Sequence, residues 1–143
     1  METRVTGKSG KEVIISYDRP TVIIGERINP AANKAFNVAL TEGGDYLDIV
    51  RKEAIKQVEL GADMVDINCS AFGVDEVGII PHAVKAAQEV VDVPLCIDSN
   101  NPDAVAAALA VYQGKPLVNS VSGESHSMAR VIPMIKEYGA AVV

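Results

Sequence analysis

Gly25-Glu26-Arg27-Ile28-Asn29 closes an apolar run that begins at Thr21, and the same layout recurs downstream. Asp66-Ile67-Asn68 ends the run Ala62–Asn68, Asp98-Ser99-Asn100 ends Val93–Asp98, and Asn119-Ser120 ends Pro116–Ser120. A further apolar run occupies Ala140 to Val143. The runs are apolar on both faces, as expected of parallel strands covered by helices. A row of Glu, Asp and Asn at the C-terminal ends of successive parallel strands is how an α/β barrel builds a ligand site.

The intervening segments read as helices. From Asp45 to Leu60 the apolar residues Leu47, Val50, Ala54 and Val58 form one stripe, and Gly61 supplies a stop. Between Asp75 and Val91, Ile80, Val84, Ala87 and Val91 do the same, with Pro81 expected in the first turn. Asn101-Pro102-Asp103 combines an N-cap, a proline at the first helical position and an acid facing the positive helix end. That helix is expected to end near Gly114. The last spans about Ser125 to Tyr138, with a kink or a late start at Pro133. Ahead of all this, Arg4–Tyr17 reads as a hairpin turning at Gly7-Lys8-Ser9-Gly10-Lys11. The order is hairpin, then strand and helix four times, then a strand, which implies parallel strands joined by right-handed crossovers.

Composition narrows the function classes. The 143 residues are 48% hydrophobic and 22% charged, which is globular rather than disordered. The formal net charge of −6, with no basic run or aromatic-basic patch, argues against a nucleic-acid partner. No apolar stretch approaches the roughly 20 residues that span a bilayer, so no membrane role is expected. Met1-Glu2-Thr3-Arg4 lacks the apolar segment of a signal peptide, and the cytoplasm is the default location. Cys69 and Cys96 fit no metal-finger spacing and read as buried, inert thiols. His82 and His126 lack ligand spacing and read as helix-surface or first-turn residues, so no metal is expected. Neither a Gly-x-Gly-x-x-Gly nor a phosphate-loop lysine motif is present, which weakens the nucleotide-binding readings of an α/β sheet.

Taken together, Gly25-Glu26-Arg27-Ile28-Asn29, Asp66-Ile67-Asn68, Ile97-Asp98-Ser99, Val118-Asn119-Ser120 and Tyr138-Gly139-Ala140-Ala141-Val142-Val143 resemble the pterin-binding barrel. The nearest likeness is to methyltetrahydrofolate:corrinoid methyltransferases and the folate domain of cobalamin-dependent methionine synthase. It runs from about Pro20 to Val143. Dihydropteroate synthase shares the barrel. Its second strand usually leads into a Thr-Arg-Pro-Gly-like loop, whereas here Cys69-Ser70-Ala71-Phe72-Gly73 follows.

The resemblance implies the N-terminal half of a TIM (β/α)8 barrel: four βα units plus a fifth strand. Residues 1–20 would form a hairpin capping the barrel bottom, and residues 21–143 a truncated pterin-binding half-barrel. It further implies methyltetrahydrofolate as substrate and a corrinoid, cobalamin-type cofactor on a partner protein. Family members activate the N5-methyl group by protonation or hydrogen bonding at N5, and a Co(I) corrinoid attacks the methyl. Asp98 and Asn119 should hold the pterin edge, whose N–H donors and acceptors suit a carboxylate and an amide. Asp66, Asn68 and Glu26 should line the same mouth, with Asn29 and Ser99 as further contacts. No catalytic group is assigned.

Each of these residues has a plainer reading. Asp98 taken alone is better explained as a cap on the helix after Asn100. Glu26 and Arg27 could form a buried ion pair ordering the barrel mouth. Asn119 could satisfy a neighbouring backbone group. Asp63 and Glu59 read as solvated surface charges.

A complete barrel needs eight units and typically about 250 residues. An apolar strand at 140–143 with no helix behind it looks like a cut. The chain is therefore expected to lack the family's contacts from the sixth and seventh strands and to be weak or inactive alone. Open sheet edges predict a homo-oligomer. The competing readings are a non-catalytic, self-associating half-barrel module and a dihydropteroate-synthase-like enzyme.

Overall fold

The computed structural model describes residues 1–143. A hairpin of β1 (Glu2–Thr6) and β2 (Glu12–Ser16) precedes a five-stranded sheet of β3 (Ile24–Ile28), β4 (Met64–Ile67), β5 (Leu95–Asp98), β6 (Leu117–Asn119) and β7 (Ala141–Val142). The helices are α1 (Lys34–Glu42), α2 (Tyr46–Glu59), α3 (Glu76–Val90), α4 (Pro102–Val111) and α5 (Ser125–Tyr138). Every pair in the large sheet is parallel, and strand order follows chain order. A doubly wound sheet would reverse direction at a switch point; a barrel wall does not. No helix is long and apolar enough to cross a membrane.

Side-chain alternation divides the sheet into two faces. Val65, Ile67, Leu95 and Ile97 point outward into an 18-residue core shared with α2, α3 and α4. Val118 packs outward against Val105, Leu109, Val131 and Ile135 of α4 and α5. Met64, Cys96, Leu117 and Ala141 point the other way and meet Val5 of the hairpin. The hairpin thus closes the end of the sheet away from the polar strand ends.

Three polar ties hold it there. The Tyr112 hydroxyl donates to Thr6 O at 2.9 Å and accepts from Leu95 N at 3.1 Å. Thr6 and Lys115 exchange backbone bonds of 2.8 and 3.1 Å. Ser9 N donates to the Asp92 carboxylate at 2.7 Å. The approach is close enough that a Cβ on Gly7 would lie 1.9 Å from Asp92 O, so the turn requires glycine there.

Four details depart from the sequence expectations. The first strand starts at Ile24 rather than Thr21, because Ile23 N is taken by the Asp63 carboxylate at 2.8 Å. Asp63 is therefore an anchor and not merely a solvated charge. Helix α1 was not foreseen: Asn33 caps it by accepting from Phe36 N, Gly43 ends it at φ 84°, and Phe36, Ala39 and Leu40 are buried. Pro81 lies in the second turn of α3, because Asp75 caps that helix by accepting from Gly78 N and starts it at Glu76. Helix α4 ends at Val111, three residues before Gly114, whereas α5 spans Ser125–Tyr138 as expected, with Pro133 inside it.

Tyr112→Phe is expected to lower stability by about 1–2 kcal/mol, because Leu95 N and Thr6 O lose a shared partner in a part-buried setting. Urea unfolding followed by circular dichroism would measure it; an unchanged midpoint would exclude this tie as a stabilising contact.

Candidate functional site

The inward face changes character along each strand. Its lower layer is Met64, Cys96 and Leu117; one alternation later come Asp66, Asp98 and Asn119. Register brings them together: Asp66 pairs with Cys96, and Asp98 with Asn119. On β3, Ile24 and Glu26 occupy the same face. Of these, Ile24, Glu26, Asp66, Cys96, Leu117 and Asn119 line, with Val143, a cavity of about 240 Å³. The largest surface concavity, about 750 Å³ against Lys34, Val38, Ala39 and Glu42 of α1, contains none of these strand-end groups.

One carboxylate oxygen from each of Glu26, Asp66 and Asp98 lies within 4.8 Å of the other two. Two amides orient the flanking acids. Asn29 Nδ2 donates to Glu26 Oε1 at 3.0 Å, and Asn68 Nδ2 donates to Asp98 Oδ2 at 3.0 Å. Each acid is thereby held through one oxygen. Asp66, only 4% exposed, has no such clamp, and its Oδ2 is buried without a hydrogen-bond partner. Burial raises the Asp66 carboxyl to about 7, the Cys96 thiol partly offsets this, and the charges of Asp98 and Glu26 add to the rise. The two cysteines are buried as expected, Cys96 inside β5 rather than at its end. Burial pushes the Cys69 thiol to about 12 and the Cys96 thiol higher still, so neither supplies a thiolate near neutrality.

The remaining candidates have visible duties. Asn29, 9% exposed, also accepts from Ala31 N at 2.9 Å and so shapes the turn after β3. Ser99 accepts from Asn101 N at 3.0 Å through its hydroxyl, while its own N–H donates to Asn119 O at 3.1 Å; it braces the β5 and β6 ends. The Asn119 side chain, half-buried, makes no hydrogen bond to the neighbouring backbone and faces the cavity.

Two plainer readings fail. Asp98 does not cap α4; Asn101 does, by accepting from Asp103 N at 3.0 Å. Glu26 and Arg27 form no buried ion pair. Both are exposed, and Arg27 donates to Ala32 O at 2.6 Å instead. The reason is a register shift in β3 between Gly25 and Ile28, which alternation alone does not anticipate. Gln57 from α2 fills it, accepting from Arg27 N at 2.8 Å, and a Cβ on Gly25 would meet Gln57 Oε1 at 2.5 Å. Gln57 was not a candidate from sequence; a polar residue on the inner stripe of a helix was the available signal. A second cavity of about 300 Å³ adjoins the ends of β5 and β6, lined by Ser99, Asn100, Ser120, Ser122 and His126 among others. His126 itself sits exposed in the first turn of α5, as its sequence position suggested.

Asp66 generates a pH prediction. Its folded value near 7 lies above the ordinary 3.8, so between those values the unfolded chain has released a proton that the folded chain keeps. Stability contributed by this group is complete below about pH 4 and is lost as the pH rises toward 7. Asp66→Asn should flatten that slope in denaturant unfolding from pH 4 to 8 with a chelator present. Parallel slopes for the two proteins would show that Asp66 does not carry it.

Comparison with known proteins fits this geometry. Residues 25–143 match the model of the pterin binding enzyme family. A methylcorrinoid:tetrahydrofolate methyltransferase of Eubacterium limosum is 33% identical over 116 residues, which is 81% of this chain and 42% of that protein. Among solved structures, a dihydropteroate synthase of Clostridium difficile crystallised with pteroic acid superposes with a TM-score of 0.66 at 25% identity, over 90% of this chain and 49% of that one. A Xanthomonas albilineans dihydropteroate synthase in complex with 7,8-dihydropteroate gives a TM-score of 0.62 at 20% identity, over 91% and 47% of the two chains. The chain thus spans less than half the length of each, and its five parallel strands form half of a TIM-type barrel. Because the family match opens at Gly25 in the first barrel strand and continues to Val143, it takes in all the polar strand ends, and the chain belongs to the pterin binding enzyme family.

Proposed function

We propose that this chain forms part of a methyltetrahydrofolate site in a protein that moves a methyl group between the folate N5 and a corrinoid carried on a partner protein. The observation that supports it is the meeting of Asp66 and Asn119 at one cavity, with a buried Asp66 oxygen lacking a partner and a carboxylate oxygen of Asp98 within 4.8 Å of one on Asp66. A pterin edge offers a row of N–H donors that such oxygens accept strongly. The printed activity of the Eubacterium limosum relative favours methyl transfer over other pterin chemistry.

In this reading Asp98, oriented by Asn68, accepts from the pterin edge, and the Asn119 amide both donates and accepts there. Glu26, held by Asn29, bounds the mouth. Asp66 lies deepest and can hold or release a proton near neutrality, which lets it face either a donor or an acceptor of the ring. The chain's share of catalysis is positioning and electrostatic complementarity. The corrinoid's cobalt supplies the centre that gives or takes the methyl group. Because this chain spans 42% of that relative, methyl transfer by it alone is expected to be slow or absent.

Calorimetric titration with methyltetrahydrofolate tests the reading. Saturable binding is expected, with Asp98→Ala and Asn119→Ala each weakening it by about 10–100-fold, the loss of one hydrogen bond to a charged or polar ring edge. No binding by a folded chain would favour the non-catalytic half-barrel. Preference for a dihydropterin pyrophosphate over methyltetrahydrofolate would favour a dihydropteroate-synthase-like enzyme, which the superpositions accommodate.

The outer edge of β3 has no partner strand and stands beside exposed Ile23 and Ile24. We infer that the 143-residue chain self-associates through this edge. A monomer mass by light scattering at high micromolar concentration would exclude it.

A further inference from the structure

Sequence spacing hides one relation that the fold creates. Glu26, Asp66 and Asp98 stand on three adjacent strands, 40 and 32 positions apart, yet one carboxylate oxygen from each falls within 4.8 Å of the other two. Three acids this close repel unless something positive lies among them. No lysine or arginine does: Arg27, the basic residue nearest in sequence, is turned to Ala32 O, and the cavity lining contains no cation.

The hydrogen bonds around the three acids are arranged so that each keeps an oxygen free. Asn29 takes only Oε1 of Glu26, and Asn68 takes only Oδ2 of Asp98. Asp66, 4% exposed and lining the cavity, keeps Oδ2 buried with no partner at all. A buried, unpartnered carboxylate oxygen is costly unless a ligand satisfies it. The Asn119 amide lines the same cavity and adds a further oxygen donor. Hard divalent cations take such all-oxygen sets. Ligand oxygens on opposite sides of a Ca²⁺ ion stand about 4.6–5.2 Å apart, and adjacent ones less. Carboxylate and carbonyl oxygens likewise suit Mn²⁺ and Mg²⁺ better than softer metals.

We propose that Glu26, Asp66 and Asp98 form a divalent-cation site at the ends of β3, β4 and β5. Asn29 and Asn68 are its positioning residues, each holding one oxygen of Glu26 and of Asp98 respectively. The folate reading uses the same carboxylates, so cation and pterin are alternative occupants of one place.

Titration of the purified 143-residue chain with Mn²⁺, followed by electron paramagnetic resonance of the free ion, tests the site directly, with Ca²⁺ displacement as a second readout. One saturable Mn²⁺ per chain is expected. Glu26→Gln and Asp98→Asn should each weaken it by about tenfold or more, while Asp103→Asn, an exposed acid paired with Arg130 at 2.7 Å, should not. Glu26 is exposed and its glutamine replacement can still accept from Asn29, so that variant is expected to fold, which circular dichroism checks. Absence of saturable Mn²⁺ binding, or binding equally strong in Glu26→Gln, would overturn the proposal. The titration contains no pterin, so either outcome leaves the folate reading to its own test.

Discussion

The two-residue repeat of a β-strand, locked in parallel register, governs everything else in this molecule. With Val65, Ile67, Leu95 and Ile97 committed to the helix-covered face, Met64, Asp66, Cys96 and Asp98 have no choice but the other one. Register then sets Asp98 level with Asn119 and Asp66 level with Cys96. A slip of one residue in β4 or β5 would bury a carboxylate against α3 and turn isoleucine into the cavity. The apolar outer core therefore does more than stabilise the sheet: it enforces where the acids point.

Crowding acids in this way has a cost, and the surrounding structure offsets only part of it. Asn29 and Asn68 satisfy one oxygen each on Glu26 and Asp98, and both amides lie within three residues of a strand end, where the chain leaves the ladder. Asp66 receives nothing comparable, and burial with two acidic neighbours raises its carboxyl toward neutrality. Local rule-breaking of this kind sets these strand ends apart from the apolar layer below them. The irregular β3 belongs to the same account. Its register shift, filled by Gln57, carries Ile28 to the outer core while leaving Glu26 at the mouth.

The opposite end of the sheet solves a different problem. The lower inward layer of Met64, Cys96, Leu117 and Ala141 is apolar, and the hairpin covers it with Val5. Tyr112 links hairpin, helix α4 and β5 through one hydroxyl, at no expense in buried unpaired groups. The inner face is thus covered at one end and polar at the other, the strand C-termini.

Much of this was legible in the residues themselves. Apolar runs ending in Glu, Asp or Asn marked the parallel strands and their polar ends, and the capping pattern Asn101-Pro102-Asp103 placed the start of α4 to the residue. These signals are local, arising from propensity, alternation and caps within a few positions. The signals for helix α1 are equally local: Asn33 as cap, Gly43 as stop and the stripe Phe36, Ala39, Leu40. What the tertiary structure alone decided is everything that depends on neighbours distant in sequence. That Asp98 bonds Asn68 rather than capping a helix, that Arg27 turns away from Glu26, that Gln57 fills a bulge, and that three acids from three strands come within 4.8 Å of one another all follow from register and packing. Alternation names the face on which a side chain lies; only the pairing of strands determines which other side chains share it.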